Sequence, residues 1–120
     1  MKKILIVDDE PNIVMTLEYT FKKSNYEVFI ARDGQEALDI LKTNFPDIII
    51  LDIMMPMVDG FVTLEQIRKD ANLQHTKVMF LSAKNKESDI EKGLALGADA
   101  YMTKPFSIKK VVEKVEELLG

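Results

Sequence analysis

Ile4-Leu5-Ile6-Val7-Asp8-Asp9-Glu10 is a short apolar run that breaks off on carboxylates. The same event recurs along the chain. Ile48–Leu51 runs into Asp52, Val78–Leu81 into Ser82, and Ala100–Met102 is followed closely by Lys104. With Val28–Ala31 these runs number five, and none alternates apolar with polar. Continuous apolar runs of that length are strands covered on both faces, as in parallel sheets. Between them the apolar residues switch to helical spacing. Ile13, Val14, Leu17 and Phe21 mark a first helix, Ala37, Leu38 and Leu41 a second, Leu64 and Ile67 a third. Ile90 and Leu94 give the fourth a thin stripe, and Ile108, Val111, Val112, Val115, Leu118 and Leu119 give the fifth the clearest one.

Punctuation agrees. Pro11 suits a first helical turn, and Asp33-Gly34 separates the second strand from its helix. Asp59 is placed to cap the third helix, Gly97 to end the fourth, and Pro105 and Ser107 precede the fifth. The pattern predicts an α/β fold: one (βα)5 doubly wound parallel sheet of five strands with helices on both faces. It falls short of the eight units of a barrel. In such a sheet the groups after the strands share one edge, where open α/β folds bind ligands.

The chain has 120 residues, 47% hydrophobic and 30% charged, which fits a single domain over residues 1–120 with a real core. Sixteen basic and twenty acidic residues leave a net charge of -4, opposite to the basic surface expected of a nucleic-acid binder. The absence of Cys excludes disulfides, thiol catalysis and Cys-ligated metal. MKKILIV imitates a signal peptide, but the apolar stretch stops at Val7. No run is long enough to span a bilayer, so the expected location is the cytoplasm.

Asp8, Asp9 and Asp52 at one sheet edge are an electrostatic problem. Two carboxylates ~5 Å apart repel by roughly 3 kcal/mol at an effective dielectric near 20. Three raise one another's pKa unless a cation intervenes. Lys104 supplies one cation from the end of the fifth strand, and a divalent ion can supply another. All-oxygen ligands with room for water favour Mg²⁺, or Mn²⁺, over zinc.

The motifs then become specific. VDDE around Asp8 and Asp9, LDIMMPMVDG around Asp52, LSA around Ser82 and MTKPF around Lys104 and Pro105 stand in one order, with GADAY before the fifth strand. In this set the chain resembles the receiver domain of two-component response regulators, the chemotaxis-regulator-like kind, over essentially its whole length. The resemblance implies a flavodoxin-like strand order 2-1-3-4-5. It implies a phosphoprotein in which Asp52 accepts a phosphoryl group as an aspartyl phosphate. It implies that Asp9 and Asp52 ligate Mg²⁺ directly and Asp8 through water, with the Met54 carbonyl as a further ligand. The backbone of Met54 and Ala83 approaches the phosphoryl group. Lys104 pairs with Asp52 and then with a phosphoryl oxygen, and Ser82 donates to another. A cis Lys104–Pro105 bond aims the ammonium inward, and Ser82 with Tyr101 forms a coupled switch.

Such a domain is not an enzyme with turnover, although it promotes its own phosphorylation and dephosphorylation. Its implied partners are a histidine kinase or phosphotransfer domain, docking near Asn12, Ile13 and Met15, and a downstream target or effector. It acts as a monomer or a phosphorylation-dependent dimer, without membrane or direct nucleic-acid contact. A dimer mode built on Asp–Arg pairs is disfavoured by Ala100 and by the lack of Arg in the last helix. Two residues beyond Asp52 and Ser82, Met54 cannot orient an attacking water by hydrogen bonding and Lys84 is neither an acid nor an amide that positions one, which predicts slow self-dephosphorylation.

Rival readings fit less well. A flavin carrier needs a hydroxyl- and glycine-rich cradle where Asp8, Asp9 and Glu10 stand. Aspartate-nucleophile phosphatases carry D-x-D after the first strand, and the G-x-x-x-x-G-K-[ST] loop of ATPases is missing. A phosphorylation-independent module usually lacks one of the site groups, and here all are present. His75 sits alone in a polar stretch, and Met54, Met55 and Met57 read as loop packing around Pro56.

Overall fold

The computed structural model describes residues 1–120. Strands β1 (Lys3–Val7), β2 (Glu27–Ala31), β3 (Ile48–Leu51), β4 (Lys77–Ser82) and β5 (Ala100–Thr103) alternate with helices α1 (Pro11–Lys23), α2 (Gly34–Ile40), α3 (Gly60–Lys69), α4 (Glu87–Ala95) and α5 (Ile108–Leu119). A short 3₁₀ turn, Ala71–Leu73, precedes β4. All four strand pairings are parallel, and the order is β2-β1-β3-β4-β5. This is the flavodoxin-like order expected above.

Strand side chains alternate between two cores, and the helices divide accordingly. Ile4, Ile6, Ile48, Ile50, Met79 and Leu81 face α1 and α5 through Leu17, Phe21, Val111 and Val115. Leu5, Val7, Ile49, Leu51, Val78 and Phe80 face the other side, against Ala37 of α2 and Phe61, Leu64 and Ile67 of α3. Two-sided burial explains why the central strands β1, β3 and β4 read as unbroken apolar runs, while the edge strands β2 and β5 are mostly half-buried. No helix is long and apolar enough to cross a membrane.

Caps fall where short polar side chains stand. Asp33, Asp59 and Ser107 each accept from the amide three residues on, satisfying donors that a helix start leaves open. Gly97, with φ of 108°, ends α4 in the left-handed region that glycine tolerates.

Helix α4 departs from its stripe. Leu94, expected on the buried face, is 47% exposed, and Gly93 is the helix's buried residue. A Cβ at Gly93 would meet the Phe80 ring at 3.0 Å and Tyr101 at 3.1 Å. The helix therefore rests its backbone on aromatic rings, which turns the neighbouring Leu94 outward.

Candidate functional site: an acidic pocket around Lys104

Register carries the site groups to one level of the sheet edge. Val7 pairs with Leu51, so Asp8 and Asp52 leave adjacent strands side by side. The Asp52 amide donates to the Val7 carbonyl at 2.9 Å. Ser82 pairs with Thr103, and the Lys104 amide donates to the Ser82 carbonyl at 2.9 Å. The end of the fifth strand thus delivers Lys104 toward the first and third. The Lys104–Pro105 peptide bond is cis.

Lys104 is the hub. Its Nζ lies 2.9 Å from Asp8 Oδ2, 2.9 Å from Glu10 Oε1 and 3.3 Å from Asp52 Oδ2. The Lys104, Asp8 and Asp52 side chains are only 8%, 4% and 3% exposed, whereas Glu10 is open to solvent. Asp52 Oδ1 accepts from the amides of Ile53 at 2.7 Å and Met54 at 3.3 Å, which fixes the plane of the carboxylate. Asp8 Oδ1 accepts from the Glu10 amide at 2.9 Å.

These contacts pull the titrations apart. Burial pushes the Asp8 carboxyl above its ordinary range, more than the Glu10 amide and Lys104 lower it. Burial alone would weaken the Lys104 ammonium. The hydrogen bonds to Asp8 and Glu10, with the charges of Asp52 and Asp8, outweigh it and hold the ammonium above its ordinary range. The site therefore strongly favours positive charge.

Carboxylate oxygens of Asp8, Glu10 and Asp52 lie within 4.8 Å of one another. Three carboxylates against one ammonium leave residual negative charge, and every donor is a hard oxygen. That donor set suits a hard divalent cation such as Mg²⁺. Glu10 has no role assigned by the sequence motifs. It is the residue preceding α1 and makes no side-chain cap bond, so its carboxylate is free to meet Lys104. The acidic triplet Asp8-Asp9-Glu10 is the available signal, but nothing local tells that Asp8 and Glu10, and not Asp9, turn toward Lys104. Asp9 is exposed and outside this triad. It lines an adjoining groove of about 590 Å³ with Met54, Asp59 and Lys84.

The remaining expected residues gather around Lys84. Its amide donates to Ser82 Oγ at 3.3 Å, and its carbonyl accepts from the Tyr101 hydroxyl at 2.6 Å. Ser82 is fully buried and Tyr101 half-buried, its ring 5.6 Å from that of Phe80. Burial, then Asp89 and Asp52, raises the Tyr101 phenol above its usual range. Met54, Ala83 and Lys84 share a second cavity of about 260 Å³.

Comparison with known proteins bears on this pocket. The family model for the response regulator receiver domain matches residues 4–116. The chain is 46% identical over 118 residues to the alkaline phosphatase synthesis transcriptional regulatory protein PhoP of Bacillus subtilis. That match covers 98% of this chain and 48% of PhoP, so the chain spans about half the length of that relative. The Francisella response regulator 1452 receiver domain superposes with a TM-score of 0.91 at 36% identity, over 99% of this chain and 97% of that one. The chemotaxis response regulator CheY4 of Vibrio cholerae gives 0.92 at 30% identity, over 98% of both chains. The match runs through every strand that feeds the acidic edge, and on that ground the chain belongs to the receiver domains of response regulators, the phosphoacceptors of two-component signal transduction.

Proposed function

We propose that Asp52 is the phosphoacceptor and that Lys104 and Ser82 assist the transfer. The observation that carries this is the setting of Asp52: a carboxylate 3% exposed, with one oxygen held by two amides and the other facing an ammonium. A carboxylate is ionised at neutral pH and needs no base to become a nucleophile. Phosphoryl transfer asks for in-line positioning and neutralised charge. An Asp52 oxygen attacks phosphorus, the phosphorus–nitrogen bond of a phosphohistidine donor breaks, and the imidazole leaves with the electron pair. Lys104 passes from Asp52 to a phosphoryl oxygen. Ser82 Oγ donates to another, and the amides of Met54 and Ala83 approach the group from the adjoining cavity.

The pocket's oxygens fit Mg²⁺, with Mn²⁺ as a substitute. Asp8, Asp9, Asp52 and the Met54 carbonyl are the residues that would hold it, and Glu10 adds a carboxylate at the rim. A bound divalent ion supplies neutralisation of charge on the transferring phosphoryl oxygens.

The partners on this reading are a histidine kinase or phosphotransfer domain and a downstream effector, met in the cytoplasm. The domain stores a signal rather than turning over substrate. Ser82 and Tyr101 form the switch, because both bind the backbone of Lys84. When Ser82 turns toward a phosphoryl oxygen it releases the Lys84 amide, and the loop carrying the Tyr101 contact shifts its balance. Moving a two-state equilibrium from 1:99 to 99:1 takes about 5.5 kcal/mol of differential stabilisation.

Intact mass after treatment with a small acyl phosphate tests the assignment. One phosphoryl adduct is expected with Mg²⁺, none with chelator, and none in Asp52→Asn. An adduct retained by Asp52→Asn refutes it.

A further inference from the structure

The chain contains seven methionines and no cysteine, so oxidation of sulfur falls on methionine alone. The methionines differ sharply in access. Met79 is fully buried and Met55 and Met102 are partly so, whereas Met1, Met15, Met54 and Met57 are exposed. Of those four, Met54 alone adjoins the phosphoacceptor. Its amide donates to Asp52 Oδ1 at 3.3 Å. It lines both the groove holding Asp9 and the cavity holding Ala83. Met54 is 55% exposed, open enough for a small oxidant to reach its sulfur.

We propose that Met54 is a redox-modification site, at which a peroxide converts the thioether to a sulfoxide and thereby shortens the life of the Asp52 acyl phosphate. The proposal rests on Asp52 being the phosphoacceptor and adds a control on that same site. In the first step an oxygen–oxygen bond of hydrogen peroxide breaks and a sulfur–oxygen bond forms. The sulfur loses two electrons, the peroxide is reduced, and water leaves.

The consequence follows from the change in hydrogen-bonding capacity. A thioether is a weak acceptor and no donor. Sulfoxidation makes the side chain polar, with an oxygen that accepts strongly. From the cavity that Met54 shares with Ala83, that oxygen can accept a proton of a water approaching phosphorus. The water oxygen then attacks, the bond from phosphorus to the Asp52 oxygen breaks, and inorganic phosphate leaves with the water's protons while the carboxylate is restored. One neutral hydrogen bond to the attacking water corresponds to about a fivefold faster loss. Met57 is 85% exposed but lies farther along the loop, so it is an internal control for oxidation without this effect.

The test uses the whole chain and hydrogen peroxide. Peptide mapping over a peroxide titration should show oxygen added at Met57 and Met54 well before Met79. Protein so oxidised, then phosphorylated with a small acyl phosphate and Mg²⁺, should lose its adduct about fivefold faster than untreated protein. A methionine sulfoxide reductase should restore the slow rate. Each variant is compared with its own untreated sample: Met57→Leu should keep the peroxide effect and Met54→Leu should lose it. Oxidation of Met54 no faster than Met79, an unchanged lifetime, or a full effect in Met54→Leu overturns the proposal and leaves the phosphoacceptor assignment standing. Absence of any adduct in untreated protein overturns that assignment and this proposal with it.

Discussion

Replacing Lys104 with Met keeps an unbranched apolar stem and removes the ammonium from between Asp8 and Asp52. Both carboxylates are almost buried, at 4% and 3% exposure, and their closest oxygens lie within 4.8 Å. At an effective dielectric near 20, repulsion at that separation is about 3.5 kcal/mol. Glu10 is exposed and its charge is screened, so it adds little. The variant has one escape, which is to protonate a carboxyl. Holding a proton at pH 7 on a group whose ordinary pKa is near 3.9 costs about 4 kcal/mol. The two routes cost nearly the same, so the expected loss is about 3–4 kcal/mol at pH 7 in chelator, in line with other broken buried pairs. The sign of the pH dependence follows. Asp8 already sits above its ordinary range in the folded protein, and losing Lys104 raises it further. The folded variant then binds a proton that the unfolded chain does not, so its stability rises as pH falls through the raised pKa toward about 4. Urea denaturation at pH 7 and pH 4.5 measures this, and the gap to the parent should nearly close at the lower pH. Mg²⁺ at a hundredfold excess over its dissociation constant should return about 2.7 kcal/mol to the variant at pH 7. A loss below about 1 kcal/mol, or one that does not change with pH, refutes the claim that Lys104 neutralises buried charge.

The difference between what the sequence disclosed and what it hid lies in the range of the interactions. Strands buried on both faces write themselves as apolar runs, so Ile4–Val7 and Ile48–Leu51 are plain to read and the parallel sheet follows. Caps are local too, and Asp33, Asp59 and Ser107 act within three residues. The Lys104 hub joins residues 52, 94 and 96 positions apart. Only the topology brings them together, and the motif order pointed to Asp8 and Asp52 but not to Glu10. Helix α4 shows the other limit. Periodicity ranks apolar side chains, yet the buried position is a glycine chosen for its lack of one, against Phe80 and Tyr101. A hydrophobic stripe is blind to packing of that kind.

Three further outcomes follow from named contacts. Tyr101→Phe keeps the ring on Phe80 and removes the bond to the Lys84 carbonyl, so it should cost about 1 kcal/mol; hydrogen exchange should quicken at Lys84 and Asn85, and unchanged exchange would sever Tyr101 from the loop. Arg68→Ala removes bonds to the Thr76 and Gly97 carbonyls and to Asp99, which also accepts from the Val78 amide; a loss of about 2–3 kcal/mol in urea denaturation is expected for these charge-assisted bonds, and a loss near zero would make the cluster ornamental. Gly60→Ala tests whether α3 must press on the backbone of Asp52 and Ile53. A Cβ there would collide with the Asp52 carbonyl and lie 2.7 Å from the Ile53 Cα, and backbone atoms cannot step aside as a side-chain tip can. Overpacking of this sort costs about 1–3 kcal/mol. The same displacement must disturb the Asp52 carboxylate, because the Ile53 amide that orients it, at 2.7 Å, belongs to the backbone being pushed. Phosphorylation by a small acyl phosphate should therefore slow under conditions where the variant is still fully folded. A folded Gly60→Ala with the parent's rate would show that the carboxylate is held by something other than its own chain.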